Sequence, residues 1–175
     1  MIIVKKCNKF LATVLAVVMV LTAAPLSGFV GIELPNLFSL LASAETVSGT
    51  IGTEGAISWS YDTEIRELVI SGTGAMTDYS AASETPWYSY AGFIKSVVIE
   101  EGITTVADYA FKGTALTEVV LPYSLAEVSS TAFGDCYSLT TVTFTGTVEQ
   151  WNKIDLGENW NLGCAFTEVV CLNGK

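Results

Sequence analysis

Apolar positions along this chain recur in a fixed order from Ile94 onward. Ile94–Ala115 reads IKSVVIEEGITTVADYAFKGTA, Leu116–Ser138 reads LTEVVLPYSLAEVSSTAFGDCYS, and Leu139–Phe144 restarts with LTTVTF. Ile94, Leu116 and Leu139 open the units, Val97, Val119 and Val142 follow, and then come Ile99, Leu121 and Phe144. The middle of each unit holds Ile103 and Val106, matched by Leu125 and Val128. Ala110-Phe111, matched by Ala132-Phe133, closes it. A period of about 23 residues marks a solenoid, because no unit buries its apolar face alone and stacked neighbours bury it for one another.

The opening pattern L-x-x-V-x-L predicts a strand, since period two puts its last two apolar residues on one face. The second half returns apolar residues at spacings of three to five, which predicts a short helical or irregular return. Ala-Phe predicts a large ring in the core beside a small residue that makes room for it. Phe166–Cys171, FTEVVC, lies on the same template as Leu116–Leu121, LTEVVL. Rungs are therefore expected to start at Ile94, Leu116, Leu139 and Phe166, about four in all.

Upstream, Ala56–Tyr61 and Arg66–Ser71 alternate apolar and polar residues around Asp62–Ile65. This predicts a β-hairpin, with Trp59 and Tyr61 on one face and Leu68 and Ile70 on one face of the partner strand. Ser71-Gly72-Thr73-Gly74 is a turn signal. Pro86–Phe93 suits a short helical turn opened by proline. The end of a solenoid exposes apolar surface, so this block reads as a cap. Downstream, Val148–Ile154 predicts a helical turn with Trp151 and Ile154 inward, and Gly157–Gly163 predicts a polar loop.

At these residues a resemblance becomes specific. The template L-x-x-V-x-[IL]-P-x-[SG]-[LVI]-x-x-[VI]-x-x-x-A-F-x-x-C is similar to the BspA-type leucine-rich repeat of bacterial surface proteins. Val69–Tyr79, VISGTGAMTDY, with Pro86–Tyr90, PWYSY, resembles the block that precedes such repeats, and Thr145–Ile154, TGTVEQWNKI, resembles the segment that closes them. The resemblance covers roughly Val47–Leu172. It departs from the family at Ile51, where a cysteine is usual, and in its low repeat count. It implies a mainly β fold with short helical turns: a short leucine-rich-repeat solenoid with a parallel sheet and an N-terminal β-hairpin cap. It also implies a secreted or displayed protein with a role in adhesion or binding.

The N-terminus reads as a secretory leader. Lys5, Lys6 and Lys9 precede the apolar stretch Phe10–Leu26, and a second apolar stretch ends in Ala42-Ser43-Ala44. Cleavage is expected after Ala44, with an earlier site near Gly28 and an uncleaved anchor helix as alternatives. Cys7 precedes the apolar run and so does not fit a lipoprotein cysteine. The expected organisation is a signal peptide over 1–44, a capping block over 45–93, and the solenoid with an irregular closing segment over 94–175.

Glu45–Lys175 carries five basic and 17 acidic residues, a net charge of −12. Such a surface repels nucleic acid and anionic lipid, keeps the chain soluble, and suits a basic partner. Membrane contact is expected only through the leader. The cysteines Cys136, Cys164 and Cys171 are odd in number, against a disulfide framework. Cys136 and Cys171 fit as small core residues, with a Cys164–Cys171 bridge as the alternative for that pair. Without histidine or a C-x-x-C pair, neither zinc nor any other metal or cofactor is expected. The missing histidine also removes the usual base for serine or cysteine nucleophiles. Glu100-Glu101 directly follow a strand, where adjacent residues point to opposite faces, which disfavours paired-carboxylate chemistry. No catalytic residue is expected.

The candidate ligand-binding surface is the outer face of the parallel sheet. Strand positions between inward residues point outward. They form one row of Val98, Val120, Thr143 and Val170, and a second of Ser96, Glu118, Thr141 and Glu168. β-branched residues also simply favour strands. The leading expectation is a non-catalytic extracellular module that binds a protein or host-surface ligand there. A carbohydrate-binding module using the cap aromatics Trp59, Tyr79, Trp87, Tyr88 and Tyr90 is the alternative, and a structural spacer or fragment of a larger surface protein is a third. An exposed edge on the last rung would invite self-association.

Overall fold

The computed structural model describes residues 45–52 and 56–173, which lie within one compact unit, Ala44–Lys175. The leader expected over 1–44, with Cys7 and both cleavage sites, lies outside the described residues.

Two sheets form the walls of the solenoid. The first has seven strands: β1 (Thr46–Ile51), β2 (Ile57–Asp62), β3 (Glu67–Gly72), β5 (Ser96–Ile99), β7 (Glu118–Leu121), β9 (Thr141–Phe144) and β11 (Val169–Val170), side by side in that order. The second is a four-stranded parallel ladder of β4 (Gly74–Ala75), β6 (Ile103–Val106), β8 (Glu127–Val128) and β10 (Asp155–Leu156). The four expected rungs are present in register: Val97 pairs with Val119, Val119 with Val142, and Val142 with Val169. The inward row Val97, Val119 and Val142 and the row Ile99, Leu121 and Phe144 are all buried.

The return half of each unit opens on a strand and not on the helical or irregular segment expected; from Ala107 and from Ser129 onward it runs in turns, as expected. Ile103 and Val106 bury from a strand, β6, and Leu125 and Val128 bury from the corresponding segment leading into β8. Short apolar runs do not distinguish a strand from a helical turn by spacing alone. Backbone pairing with the neighbouring coil settles it, because each return segment finds a parallel partner.

The hairpin of β2 and β3 forms as expected, with Trp59 opposite Ile70 and Tyr61 opposite Leu68, all four buried. Its turn is held by Asp62, whose Oδ1 accepts the N–H groups of Glu64 (2.9 Å) and Ile65 (3.1 Å). Arg66 completes it in the left-handed region, at φ 59°. Gly72 is required at φ 123°, since a Cβ there would overlap the Ala56 carbonyl oxygen. The hairpin extends further than expected in two directions. β1 adds an antiparallel strand to β2, and β3 pairs in parallel with β5, so the capping block begins the first coil. Met76 N–H donates to the Thr105 carbonyl and Tyr79 N–H to that of Asp108, stacking Met76-Thr77-Asp78-Tyr79 on Val106-Ala107-Asp108-Tyr109.

A chain of aromatic rings runs through the coils. Trp87 stacks on Phe111 at 5.6 Å and Phe111 on Phe133 at 5.2 Å. Trp59 and Tyr79 meet Trp87 edge-on at one end, and Trp160 meets Phe133 edge-on at the other. Trp87 also donates its indole N–H to the Ala110 carbonyl at 2.8 Å. Large rings supply much apolar area and prefer such offset or edge geometries.

At the far end, helix α1 (Val148–Trp151) starts at a capping box in which Thr147 and Gln150 satisfy each other's backbone N–H groups. Ile154 is buried and Trp151 packs partly buried against the core. The segment Gly157–Gly163 is a loop, but it is not wholly polar: Trp160 is buried. Its carbonyl sits in the coil-to-coil ladder where the previous coil has Ala132, since Phe133 N–H donates to the Trp160 carbonyl at 3.0 Å, while its own N–H bonds the Gly157 carbonyl within the loop. Among the described residues no helix is long and apolar enough to cross a membrane.

Candidate functional site

The outward rows of the first sheet are built by strand register. Val98 pairs with Val120, Val120 with Thr143, and Thr143 with Val170, so these residues share one line across four parallel strands. Val98, Val120 and Thr143 are half-buried and Val170 is exposed. The line continues beyond the expected residues: Val98 pairs with Val69, Val69 with Ser60, and Ser60 with Ser48. Position-by-position comparison of Val69-Ile70 with Val98-Ile99 carries this signal in the sequence, hidden by treating the cap as separate from the repeats.

The second row pairs Ser96 with Glu118 and Glu118 with Thr141. Glu118, Thr141 and Glu168 are exposed. Ser96 is the correction, being only 8% exposed. Its short side chain lies between Glu67 and Glu118 on the flanking strands. The row also continues to Asp62 through Glu67, so acids outnumber hydroxyls along it. The face is thus a β-branched strip bordered by carboxylates. Chemically it offers apolar contact and charge attraction to a cation-bearing surface.

The cap aromatics are placed differently from what sugar stacking requires. Trp87 is fully buried and Trp59 6% exposed, while Tyr79 and Tyr90 pack partly buried against the same core. Tyr88, 53% exposed, is the one of the five whose ring is open to solvent. Burial pushes the Tyr79 phenol up to about 12, and its hydroxyl has no hydrogen-bond partner among the described residues.

Among the described residues the thiols of Cys136, Cys164 and Cys171 are free, and they are not arranged as a Cys164–Cys171 pair. Ala165 N–H bonds the Leu139 carbonyl and Leu172 N–H that of Gly146, so the chain between the two cysteines runs the length of β9. Cys164 lies instead beside Cys136. A hydrogen bond from Cys164 holds the Cys136 thiol below the ordinary thiol range, and holding that proton, together with burial, pushes Cys164 up. Burial also raises Cys171. Among the described residues no group of three or more Cys, Asp or Glu side chains is placed to hold a metal ion.

Comparison with known proteins agrees with this architecture. No curated protein matches the chain. The chain is similar to a leucine-rich repeat protein from Eubacterium ventriosum ATCC 27560, whose crystal structure at 2.50 Å aligns with a TM-score of 0.56 at 23% identity. The alignment covers 72% of this chain and 38% of that one, so this chain spans well under half of the longer protein. The family model described as BspA type leucine rich repeat region (6 copies) matches residues 85–161. Proteins with such repeats are generally non-catalytic interaction modules and typically belong to bacterial surface or secreted proteins. With the stacked parallel coils and the Ala-Phe ring ladder in place, the fold is a leucine-rich-repeat solenoid, and residues 85–161 are similar to the BspA-type leucine-rich repeat region.

Proposed function

We propose that this protein is a non-catalytic, extracellular adhesion module whose partner is a protein on a cell or host surface, bound at the outer face of the first sheet. The observation that carries this reading is the in-register strip Val98, Val120, Thr143 and Val170, left open on the sheet and bordered by Glu118 and Glu168. The partner surface that fits it is an apolar strip flanked by Lys or Arg. Secretion is supported by the leader pattern over residues 1–44 and by the usual setting of this repeat. Burial of Trp59 and Trp87 weighs against the carbohydrate reading, and the apolar strip weighs against a featureless spacer.

The test is binding of labelled full chain to immobilised cell-surface and extracellular-matrix proteins, with a glycan array in parallel. Val120→Arg, which lays a long cation across the strip, is expected to abolish protein binding while far-ultraviolet circular dichroism stays native. Binding should also weaken with salt, since exposed charge contacts are screened within about 8 Å at physiological ionic strength. Protein binding that survives in Val120→Arg refutes the face. Glycan binding lost in Tyr88→Ala would establish the alternative.

A further inference from the structure

Thr114, Cys136 and Cys164 occupy the same place in three successive coils. Phe111 N–H bonds the Ala132 carbonyl and Gly113 N–H that of Gly134, fixing the step from Thr114 to Cys136. Phe133 N–H bonds the Trp160 carbonyl and Asp135 N–H that of Leu162, fixing the same step from Cys136 to Cys164. The residue before each is in the left-handed region, with φ 71° at Gly113, 60° at Asp135 and 86° at Gly163. The three side chains therefore leave the backbone in the same direction. Their surroundings repeat too: Cys136 Sγ lies 3.0 Å from the Phe111 carbonyl oxygen, and Cys164 Sγ lies 3.2 Å from that of Phe133.

The first step of this ladder brings Thr114 Oγ1 within 3.4 Å of Cys136 Sγ. The second step puts Cys164 at the corresponding backbone position beside Cys136. Strands stacked in this way lie about 4.8 Å apart, inside the roughly 4.4–6.8 Å between Cα atoms that a disulfide spans.

We propose that Cys136 and Cys164 are a reactive dithiol that a small disulfide oxidises to an intramolecular bridge, clamping the closing coil onto the last complete repeat. The two thiols differ in access. Cys136 is fully buried, whereas Cys164 is partly exposed at a corner where Leu162 and Tyr137 stand 62% and 71% exposed. Cys164 is thus the entry point. Cys164, the more accessible but less acidic of the two, first gives its proton to solvent; its thiolate then attacks one sulfur of the small disulfide, the disulfide bond breaks, and one small thiol leaves. The Cys136 thiolate then attacks Cys164 Sγ, the mixed disulfide breaks, and the second small thiol leaves. Two protein thiols are oxidised to one disulfide, and one small disulfide is reduced to two thiols. Asp135, beside Cys136 in the chain, is paired with Lys112 at 3.5 Å, so the preference for a cationic over an anionic disulfide comes from the chain's net charge of −10.

The experiment treats the fully reduced full chain with cystamine and reads intact mass and a non-reducing peptide map. The expected product has lost the mass of two hydrogen atoms and joins the peptides of Cys136 and Cys164, with a raised unfolding temperature. Cys136→Ser keeps a hydroxyl where Thr114 already carries one, and is expected to fold and to stop at a cysteamine adduct on Cys164. A Cys164–Cys171 link, a persistent adduct on Cys164 of the unaltered chain, or unreacted thiols throughout would each overturn the proposal.

Discussion

Thr145 donates a 2.7 Å hydrogen bond from its hydroxyl to Glu101 Oε1 across 44 residues of sequence. Tyr123, in the coil between them, donates its N–H to both, at 3.1 Å to Glu101 and 2.8 Å to Thr145. Glu101 Oε2 takes the Ser124 N–H as well. One carboxylate therefore ties three successive coils at the corner between the two sheets, where the turning backbone leaves N–H groups without ladder partners. Glu101→Ala is expected to cost about 1 kcal/mol, the typical net worth of such bonds. A double-mutant cycle with Thr145→Val in denaturant unfolding should show coupling of at least about 0.5 kcal/mol. Additive effects would mean that the corner contributes no link between coils.

The ring ladder predicts a larger loss. Phe133 is fully buried between Phe111 and Trp160. Phe133→Ala should cost about 3–5 kcal/mol, from lost transfer energy and the cavity left in a stack that collapses poorly. Phe93→Ala is the control: at 59% exposure it should stay within about 0.5 kcal/mol of the parent. Urea unfolding of both variants at one pH decides the point.

Tyr79 makes the protein sensitive to alkali. Its phenol ionises near 10 in the unfolded chain and at about 12 in the fold, because burial penalises the phenolate. The unfolded state therefore loses the proton first. The stabilising difference is fully present below about pH 10 and is lost as pH rises toward 12. Tyr79→Phe should flatten this alkaline decline in thermal unfolding. At neutral pH it should be neutral or stabilising by up to about 1 kcal/mol, since it removes a buried hydroxyl without a partner. A marked loss of stability at pH 7 would show that the hydroxyl has a bonding role.

Gly72 tests the junction of cap and coil. Any side chain there meets the Ala56 carbonyl, and the left-handed backbone at φ 123° adds strain of about 1–3 kcal/mol. Gly72→Ala should lower the unfolding temperature and loosen amide protection in β2 and β3. Unchanged protection there would mean that the hairpin adjusts freely against the first coil.

The sequence by itself determined the coil period, the inward rows of the first sheet and the outward strip, because each rests on local spacing within one unit. Val98, Val120 and Thr143 share a line for the same reason that Val97, Val119 and Val142 do. The hairpin with Trp59 and Tyr61 on one face and Leu68 and Ile70 on one face of its partner was equally local, since alternation over a short turn sets it; the register of Trp59 opposite Ile70 came from the structure. The tertiary structure alone decided what stacks on what once the spacing breaks. The seven residues Val148–Ile154 sit between β9 and β10, and they displace Trp160 and Cys164 from the positions that counting predicts. Only the through-space ladder shows that Trp160 stands in line with Ala132 and that Cys164 faces Cys136 rather than Cys171. Likewise the cap became the first coil through parallel pairing of β3 with β5, and Ser96 was closed off by its strand neighbours. Backbone pairing between distant segments tolerates insertions that a repeat template does not, because each carbonyl needs a partner across the gap and not a fixed number of residues along the chain.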